Sequence, residues 1–441
     1  MSTGVPQTVL IVGAGLTGLA TALFLTGRGC RITLLDLPGW ETGYKTGPND
    51  VLAIIPGGHR ETSEILRSVE SGVAFRQPDG NVSLEFWLPP GRIVSYRPMP
   101  LFPGPLQWIS GFLRFRGLAW QDRWRLLTYL ERLWEGAEQL SADVDNRTAD
   151  AWLESIGQSW TGRRQIWDPL SRWLTGNDLQ RLSGPVLVQQ LSTLFLQKTS
   201  DAALIYRHGS IGDRFMSPMR DRLERRGVTI LRQTELPLLR IGPNGIEEIR
   251  LPDGGSLRAQ WYIAALSHQG LVALLPEQLL ARYAYFAQLA ELETLPEVTV
   301  IFRLPSAHPS PRLVLFTGDP FHQAVVAPSR SNETTCRLSA SNNSALLGLP
   351  DDHLLSIGHE QLRRVFPDSP PLDRSGIVHR DNQAALALHP GAPLRRPLQQ
   401  SPLPNFLLAG PWTDTGWPAN VESALVSARR CADIICARIT N

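Results

Sequence analysis

The chain begins with a short apolar strand that runs directly into three glycines at fixed spacing. Residues 9–12 are all apolar, and Gly13, Gly15 and Gly18 follow as G-x-G-x-x-G where the strand must turn into a helix. Gly13 permits the tight turn, Gly15 lets the backbone approach a pyrophosphate, and Gly18 lets the helix lie close to the strand. The helix N-terminus is then aimed at negative charge. Residues 31–35 read as a second strand ending at Asp36, placed to accept hydrogen bonds from an adenosine ribose. Because these parts occur in order, the stretch predicts a dinucleotide-binding β-α-β unit rather than an ordinary glycine-rich turn. Gly13, Ala14, Gly15, Leu16, Thr17 and Gly18 are the candidate pyrophosphate cradle, and Asp36 the candidate ribose ligand. An acid at this position suits NAD or FAD, whereas the 2′-phosphate of NADP asks for a basic group.

A chain of 441 residues exceeds what one hydrophobic core supports, so two or more lobes are expected. Net charge is +2, from 43 basic and 41 acidic residues, which gives no general case for nucleic-acid binding. Cys30, Cys336, Cys431 and Cys436 form no C-x-x-C pair and are expected to be reduced and buried. His59, His208, His268 and His379 lack H-x-x-H spacing, so no metal site is expected. For His59 and His208 a place at the site and a structural role both stay open. No secretion signal or membrane-spanning apolar run is visible, which leads to the expectation of a cytoplasmic protein, with peripheral attachment to the inner face of the membrane left open.

Further along, residues 38–56 read as an extended loop, 60–69 as a helix and 81–87 as a strand, while prolines make 89–105 irregular. Residues 105–135 interleave Trp108, Phe112, Phe115, Trp120, Trp124, Tyr129 and Trp134 with Arg114, Arg116, Arg123, Arg125 and Arg132, as two helices broken near Gly117. They fit an amphipathic lobe whose arginine stems cover apolar surface, or a peripheral membrane contact and apolar substrate mouth. Helices are expected at 148–156, 163–174 and 185–196. A β-α pattern then returns, with a helix at 212–226, a strand at 228–231, a hairpin across Asp253-Gly254-Gly255 and a buried strand at 261–266. Strands at 298–303, 313–317 and 324–326 with a helix at 351–365 make a second lobe, and 406–439 closes the chain as strand, loop and helix. The expected domains are a dinucleotide-binding domain from 1–80, 206–280 and 376–441, a helical substrate or membrane-facing lobe from 81–205, and the sheet part of the substrate domain from 281–375.

The last segment carries a specific resemblance. The run LPNFLLAGPWTDTGWPANVESALVSARR, residues 403–430, resembles the flavin-closing motif of the flavin amine oxidase and phytoene desaturase superfamily. Within it the chain is most similar to the squalene-associated group, the hydroxysqualene dehydroxylases. GHRETSEILRSV at 58–69, PMPLFPGPLQWISGFLRFRGLAWQDRWRLL at 98–127, AWLESIGQ at 151–158, IWDPLSRWLTGN at 166–177 and RRP at 395–397 are similar to that group in order and spacing. The resemblance implies an α/β, two-lobe, Rossmann-like FAD-binding fold of the amine oxidase type with an inserted α+β substrate domain. It implies FAD as cofactor, with adenosine near Gly13 and Asp36, Lys45 near the pyrophosphate, and the flavin beneath Gly410, Pro411, Gly416, Pro418, Ala419 and Glu422. A helix starting near Ala419 would aim its dipole at the flavin. Glu422 could serve the flavin or simply its own helix terminus, and Trp412 and Trp417 could wall the flavin or pack.

The reaction implied is an FAD-dependent oxidoreduction of an apolar polyisoprenoid, the reductive removal of an allylic hydroxyl from hydroxysqualene. Alternatives are carotenoid desaturation or oxidation of another apolar substrate, and a degenerate flavoprotein partnering a prenyl synthase. No individual catalytic residue follows from the sequence. Three departures from the group's pattern fall at the cofactor: Gly43-Tyr44-Lys45 for the usual Gly-Gly-Arg, Val51-Leu52-Ala53 for a polar stretch, and Gly410-Pro411 for Gly-Asp. A bidentate arginine, polar groups near the flavin and a ribityl-binding carboxylate are thereby removed.

Overall fold

A computed structural model describes residues 6–40, 51–54, 59–69, 75–76, 84–98, 105–134, 146–195, 204–208, 210–304, 311–328, 334–365 and 376–440. Its centre is a five-stranded parallel sheet in the order β18 (Phe406–Leu408), β12 (Trp261–Ala264), β1 (Gln7–Val12), β2 (Cys30–Asp36) and β8 (Thr229–Arg232). The fold is therefore α/β with a Rossmann-like core, assembled from segments of the chain's start, middle and end. Along β1, Val9 and Ile11 face the core under α1 (Leu16–Leu25) and the terminal helix Val421–Thr440, while Leu10 and Val12 enter the core on the opposite face. Burial on both faces explains the unbroken apolar run, since a parallel sheet is covered on each side.

Chain order places β1 between strands reached by opposite turns, β2 on one side and β12 on the other. At such a reversal the loops leave the carboxyl ends of neighbouring strands in different directions and open a crevice. The glycine turn after β1 sits at that crevice.

The second sheet has seven strands in the order β17 (Gly376–Leu386), β13 (Thr294–Leu304), β16 (Thr334–Ser341), β15 (Gln323–Pro328), β14 (Arg312–Phe316), β5 (Leu84–Leu88) and β6 (Arg92–Tyr96). The helix Asp351–Val365 buries Leu354 and Leu362 against one face of it. The structure departs here from the irregular path expected for 89–105. Val94 and Tyr96 alternate into the core, and the prolines at 89 and 90 fall in the turn between β5 and β6 rather than within either strand. Tyr96 meets Phe112 at 4.8 Å and Phe115 at 5.7 Å, which ties this edge to α3 (Pro105–Arg114). Within the loop expected at 38–56, Val51–Ile54 forms β3 and pairs with β7 (Ile205–His208). Strands β16 and β17 escape a reading of the sequence because one is rich in Ser and Thr and the other is interrupted by the polar run from His379 to Gln383. Among the described residues no helix is long and apolar enough to cross a membrane.

All four cysteines are free thiols; Cys336 and Cys431 are buried, whereas Cys30 and Cys436 are only half-buried, contrary to the expectation for that pair. Both lie beside Arg28, whose carbonyl accepts from the Cys30 thiol and whose guanidinium donates to Cys436 Sγ, each at 3.8 Å.

His322 is buried at the start of β15 and accepts from the Ser341 N–H through Nδ1 at 3.1 Å. Burial, reinforced by Arg172 and Arg337, lowers it to about 3. Unfolded, this imidazole takes up a proton below its ordinary 6.5, but folded it does not until about 3, so the folded state loses stability as pH falls through that window. At pH 5 the loss is on the order of 2 kcal/mol. His322→Asn, which keeps an acceptor, is expected to flatten the fall in melting temperature between pH 7 and 5; an unchanged slope would place the acid sensitivity elsewhere.

Candidate functional site

At the carboxyl edge of the parallel sheet Gly13 and Gly18 are held by contact. Gly13 adopts a φ of +109°, its N–H donates to Leu35 O at 2.8 Å, and a β-carbon there would lie 2.4 Å from Ala265 O. A β-carbon on Gly18 would stand 1.9 Å from Gly13 O, so the helix approaches the strand end as closely as its backbone allows. Gly15 is the N-cap of α1 and gives that helix no side-chain cap, while Ala14, Leu16 and Thr17 are all buried. Thr17 Oγ1 is buried without a hydrogen-bond partner. An uncapped, buried helix start with an orphaned hydroxyl requires an outside acceptor. These residues therefore fit an anionic pyrophosphate lying on the helix terminus.

Asp36 lies at the end of β2, as expected, with its carboxylate 3.1 Å from the guanidinium of Arg220 on the helix Ser217–Arg225. Nothing near Asp36 in the chain points to this cation, because the helix bearing it comes nearly two hundred residues later. The pair fixes the carboxylate at the strand end, where a ribose would meet it.

The closing segment after β18 is built around a residue that sequence reasoning passed over. Arg396 is 8 % exposed and donates to the carbonyls of Pro411, Trp412, Thr413 and Trp417, and to Ser423 Oγ. Burial brings its guanidinium down to about 10, which leaves it charged at neutral pH. Gly410 donates to Ser427 Oγ at 3.1 Å, and Thr413 Oγ1 donates to Gly410 O at 2.8 Å. Gly416 turns the loop with a φ of +82°, Pro418 is buried, and Ala419 leads into Asn420. The Asn420 side chain accepts from Ser423 N–H, so the terminal helix begins at Val421, two residues later than expected. Trp412 is fully packed and donates to Leu266 O at 3.0 Å.

Glu422 is spent on a neighbouring helix. Its two carboxylate oxygens accept from the N–H groups of Glu61 and Thr62 at 3.0 and 2.9 Å and from Thr62 Oγ1 at 2.7 Å, capping α2 (Arg60–Val69). Arg429 on the same terminal helix pairs with Glu61 and Glu64, which completes the tie between the two helices. Glu422→Ala strands two buried N–H groups of α2 and is expected to cost about 2–3 kcal/mol. Thermal melts of the flavin-free protein check this, because a residue serving only the flavin would leave them unchanged.

His59 precedes α2 and meets Trp417 edge-on at 5.2 Å. Burial lowers it to about 4, so the ring is neutral at physiological pH. Packed within the fold yet partly accessible, it joins the closing segment to the start of α2. His268 instead bonds Leu292 O at 3.0 Å, and His379 lies on β17, so these two do not join the site. Lys45 lies outside the described residues; Leu52 and Ala53 lie on β3, and His208 on the paired β7.

Residues 52–436 match the family described as flavin containing amine oxidoreductase. The chain belongs to this family. As a flavin amine oxidoreductase it is an FAD-dependent enzyme. This flavin oxidoreductase is 24 % identical to 15-cis-phytoene desaturase of Narcissus pseudonarcissus, over 97 % of its own length and 79 % of that protein's. It is 23 % identical to zeta-carotene desaturase of Synechocystis sp., with 97 % of each chain covered. Its fold is similar to that of an oxidoreductase from Methanosarcina mazei, at 14 % identity and a TM-score of 0.72, covering 97 % of this chain and 100 % of that one. Cyclohexylamine oxidase from Brevibacterium oxydans is similar at 16 % identity and a TM-score of 0.67, with 99 % and 100 % covered. The family match begins after the glycine turn, whereas the similarity to the two desaturases spans nearly the whole flavin oxidoreductase.

Proposed function

We propose that the enzyme acts on a polyisoprenoid lipid and that its reaction is the reductive loss of an allylic hydroxyl, of the hydroxysqualene dehydroxylase type. The observation that carries the substrate class is similarity over 97 % of the chain to proteins named for polyisoprenoid substrates, phytoene and zeta-carotene. The motifs between residues 58 and 430 that resemble the squalene-associated group favour dehydroxylation within that class. The net conversion takes two electrons and two protons, exchanges a carbon–oxygen bond for a carbon–hydrogen bond, and releases water.

When bound, FAD supplies reversible two-electron chemistry at its isoalloxazine ring. The chain's own residues have simpler tasks. Gly13, Gly15 and Thr17 would receive the pyrophosphate, Asp36 held by Arg220 would receive the ribose, and Arg396 holds the closing segment that would cover the flavin. The neutral His59 beside Trp417 offers a polar edge without placing a second charge there. Polyene desaturation is the second reading, favoured by the names of the same relatives.

Anaerobic spectroscopy of the purified protein separates them. On the first reading, FAD in its reduced form is reoxidised by hydroxysqualene and squalene appears; on the second, oxidised FAD is bleached by phytoene. Purified protein that takes up no flavin even with FAD in excess would overturn both.

A further inference from the structure

We propose that the amino ends of α4 (Trp120–Trp134) and of the helical segment that starts at Trp160 form a docking surface for an anionic phospholipid bilayer. Trp120, Trp124 and Trp160 are 58 %, 57 % and 67 % exposed, and Leu113 on α3 adds a fourth exposed apolar side chain. Leaving so much indole in water forgoes about 2 kcal/mol of burial per side chain. Such a cluster marks a surface that something covers.

The tryptophans stand on a rigid base. Asp122, buried between Trp120 and Trp124 in sequence, accepts from Ser159 N–H at 2.7 Å and from Ser159 Oγ at 2.6 Å, which fixes Trp160 to the start of α4. Gln158 joins the clamp by donating to Asp122 O at 2.8 Å and accepting from Trp167 Nε1 at 2.9 Å. Trp120 and Trp124 stack at 6.3 Å, with the Arg123 guanidinium 5.3 Å from the Trp120 ring.

Charge selects the occupant. Residues 113–125 carry four arginines, at 114, 116, 123 and 125, and a single acid, the buried Asp122. The whole chain is only +2, so this concentration of positive charge is local. Protruding indoles among arginines suit the headgroup level of a bilayer, where each ring has an apolar body and a wet edge; Arg123 and Arg125 also donate to Leu113 O and Gly157 O, and exposed Arg116 is placed to meet a lipid phosphate. Since no described helix can span the bilayer, the contact is monotopic. The footprint includes Trp160, beyond the 105–135 stretch, and stands on surface chemistry alone, so it survives failure of the proposed reaction.

The test uses the FAD-loaded protein with phosphatidylcholine vesicles, with and without phosphatidylglycerol. Expected are co-sedimentation with the anionic vesicles, a blue shift of tryptophan emission, and release near roughly 0.5 M salt, where surface charge is screened. A Trp120→Ser, Trp124→Ser, Trp160→Ser variant is expected to bind them at least about tenfold more weakly, tenfold corresponding to roughly 1.4 kcal/mol. Unchanged flavin content and melting temperature show that this variant folds. Arg116→Glu, at an exposed site outside the clamp, is a second variant expected to weaken binding to the anionic vesicles. Failure of the wild-type protein to bind, or equal binding by both variants, overturns the proposal. So does a wild-type dimer that the serine substitutions convert to monomer, because the face would then join two copies.

Discussion

Arg396→Met is expected to release the closing segment and lose flavin. The guanidinium satisfies four main-chain carbonyls between Pro411 and Trp417 and the Ser423 hydroxyl, in a place with almost no solvent. Methionine fills similar volume but strips the Trp412, Thr413 and Trp417 carbonyls of their donor and leaves Pro411 O with only the Ser423 hydroxyl, at a cost of about 3–5 kcal/mol if most stay buried. The melting temperature of the flavin-free protein should fall, and FAD should be lost on gel filtration. Arg396→Lys should recover only part of this, since an ammonium has three donors and lacks the planar fork that reaches several carbonyls at once. A methionine variant that melts normally and keeps FAD would show that the loop holds its shape unaided.

Gly18→Ala is expected to have an effect as large from a single methyl group. The new β-carbon would start 1.9 Å from Gly13 O and 3.0 Å from Gly13 C, and both are main-chain atoms that cannot swing aside. The helix must move away from β1, at an expected cost of about 3 kcal/mol or more, and the pyrophosphate cradle goes with it. Gly15→Val separates the two consequences. Gly15 lies at φ −71° and ψ −172°, an extended conformation that valine adopts readily, so this variant should fold. Its side chain would fill the space for the pyrophosphate, and FAD should fail to bind. The 450 nm absorbance after reconstitution, with circular dichroism melts, reads both outcomes. Full FAD content in Gly15→Val would move the pyrophosphate away from the helix terminus.

These residues differ in how visible they were beforehand. The glycine turn was legible because each glycine answers to a need within a few residues of itself, a turn, a close approach or a contact between adjacent elements. Asp36 was legible as the end of a strand, but its partner Arg220 was not. Arg396 stood in the RRP run as one more arginine, since nothing local indicates that its donors converge on groups 15 to 27 residues ahead. Glu422 could be placed in the first turn of its helix, yet its acceptors serve another helix 361 residues away along the chain. The strands at 92–96, 334–341 and 376–386 were missed for a related reason. Two prolines just ahead of 92–96 hide a short alternation that pairing with β5 completes, and the other two become strand by pairing with β13 rather than by apolar alternation of their own.

By itself the sequence determined that the start of the chain takes the shape of a dinucleotide cradle, because that shape needs only a backbone turn and three absent side chains. Only the tertiary structure decided how the far end of the chain closes on that start. The closing loop, the capped helix and Asp36 are each held by a side chain from another part of the chain, and such pairings exist only once the strands have assembled.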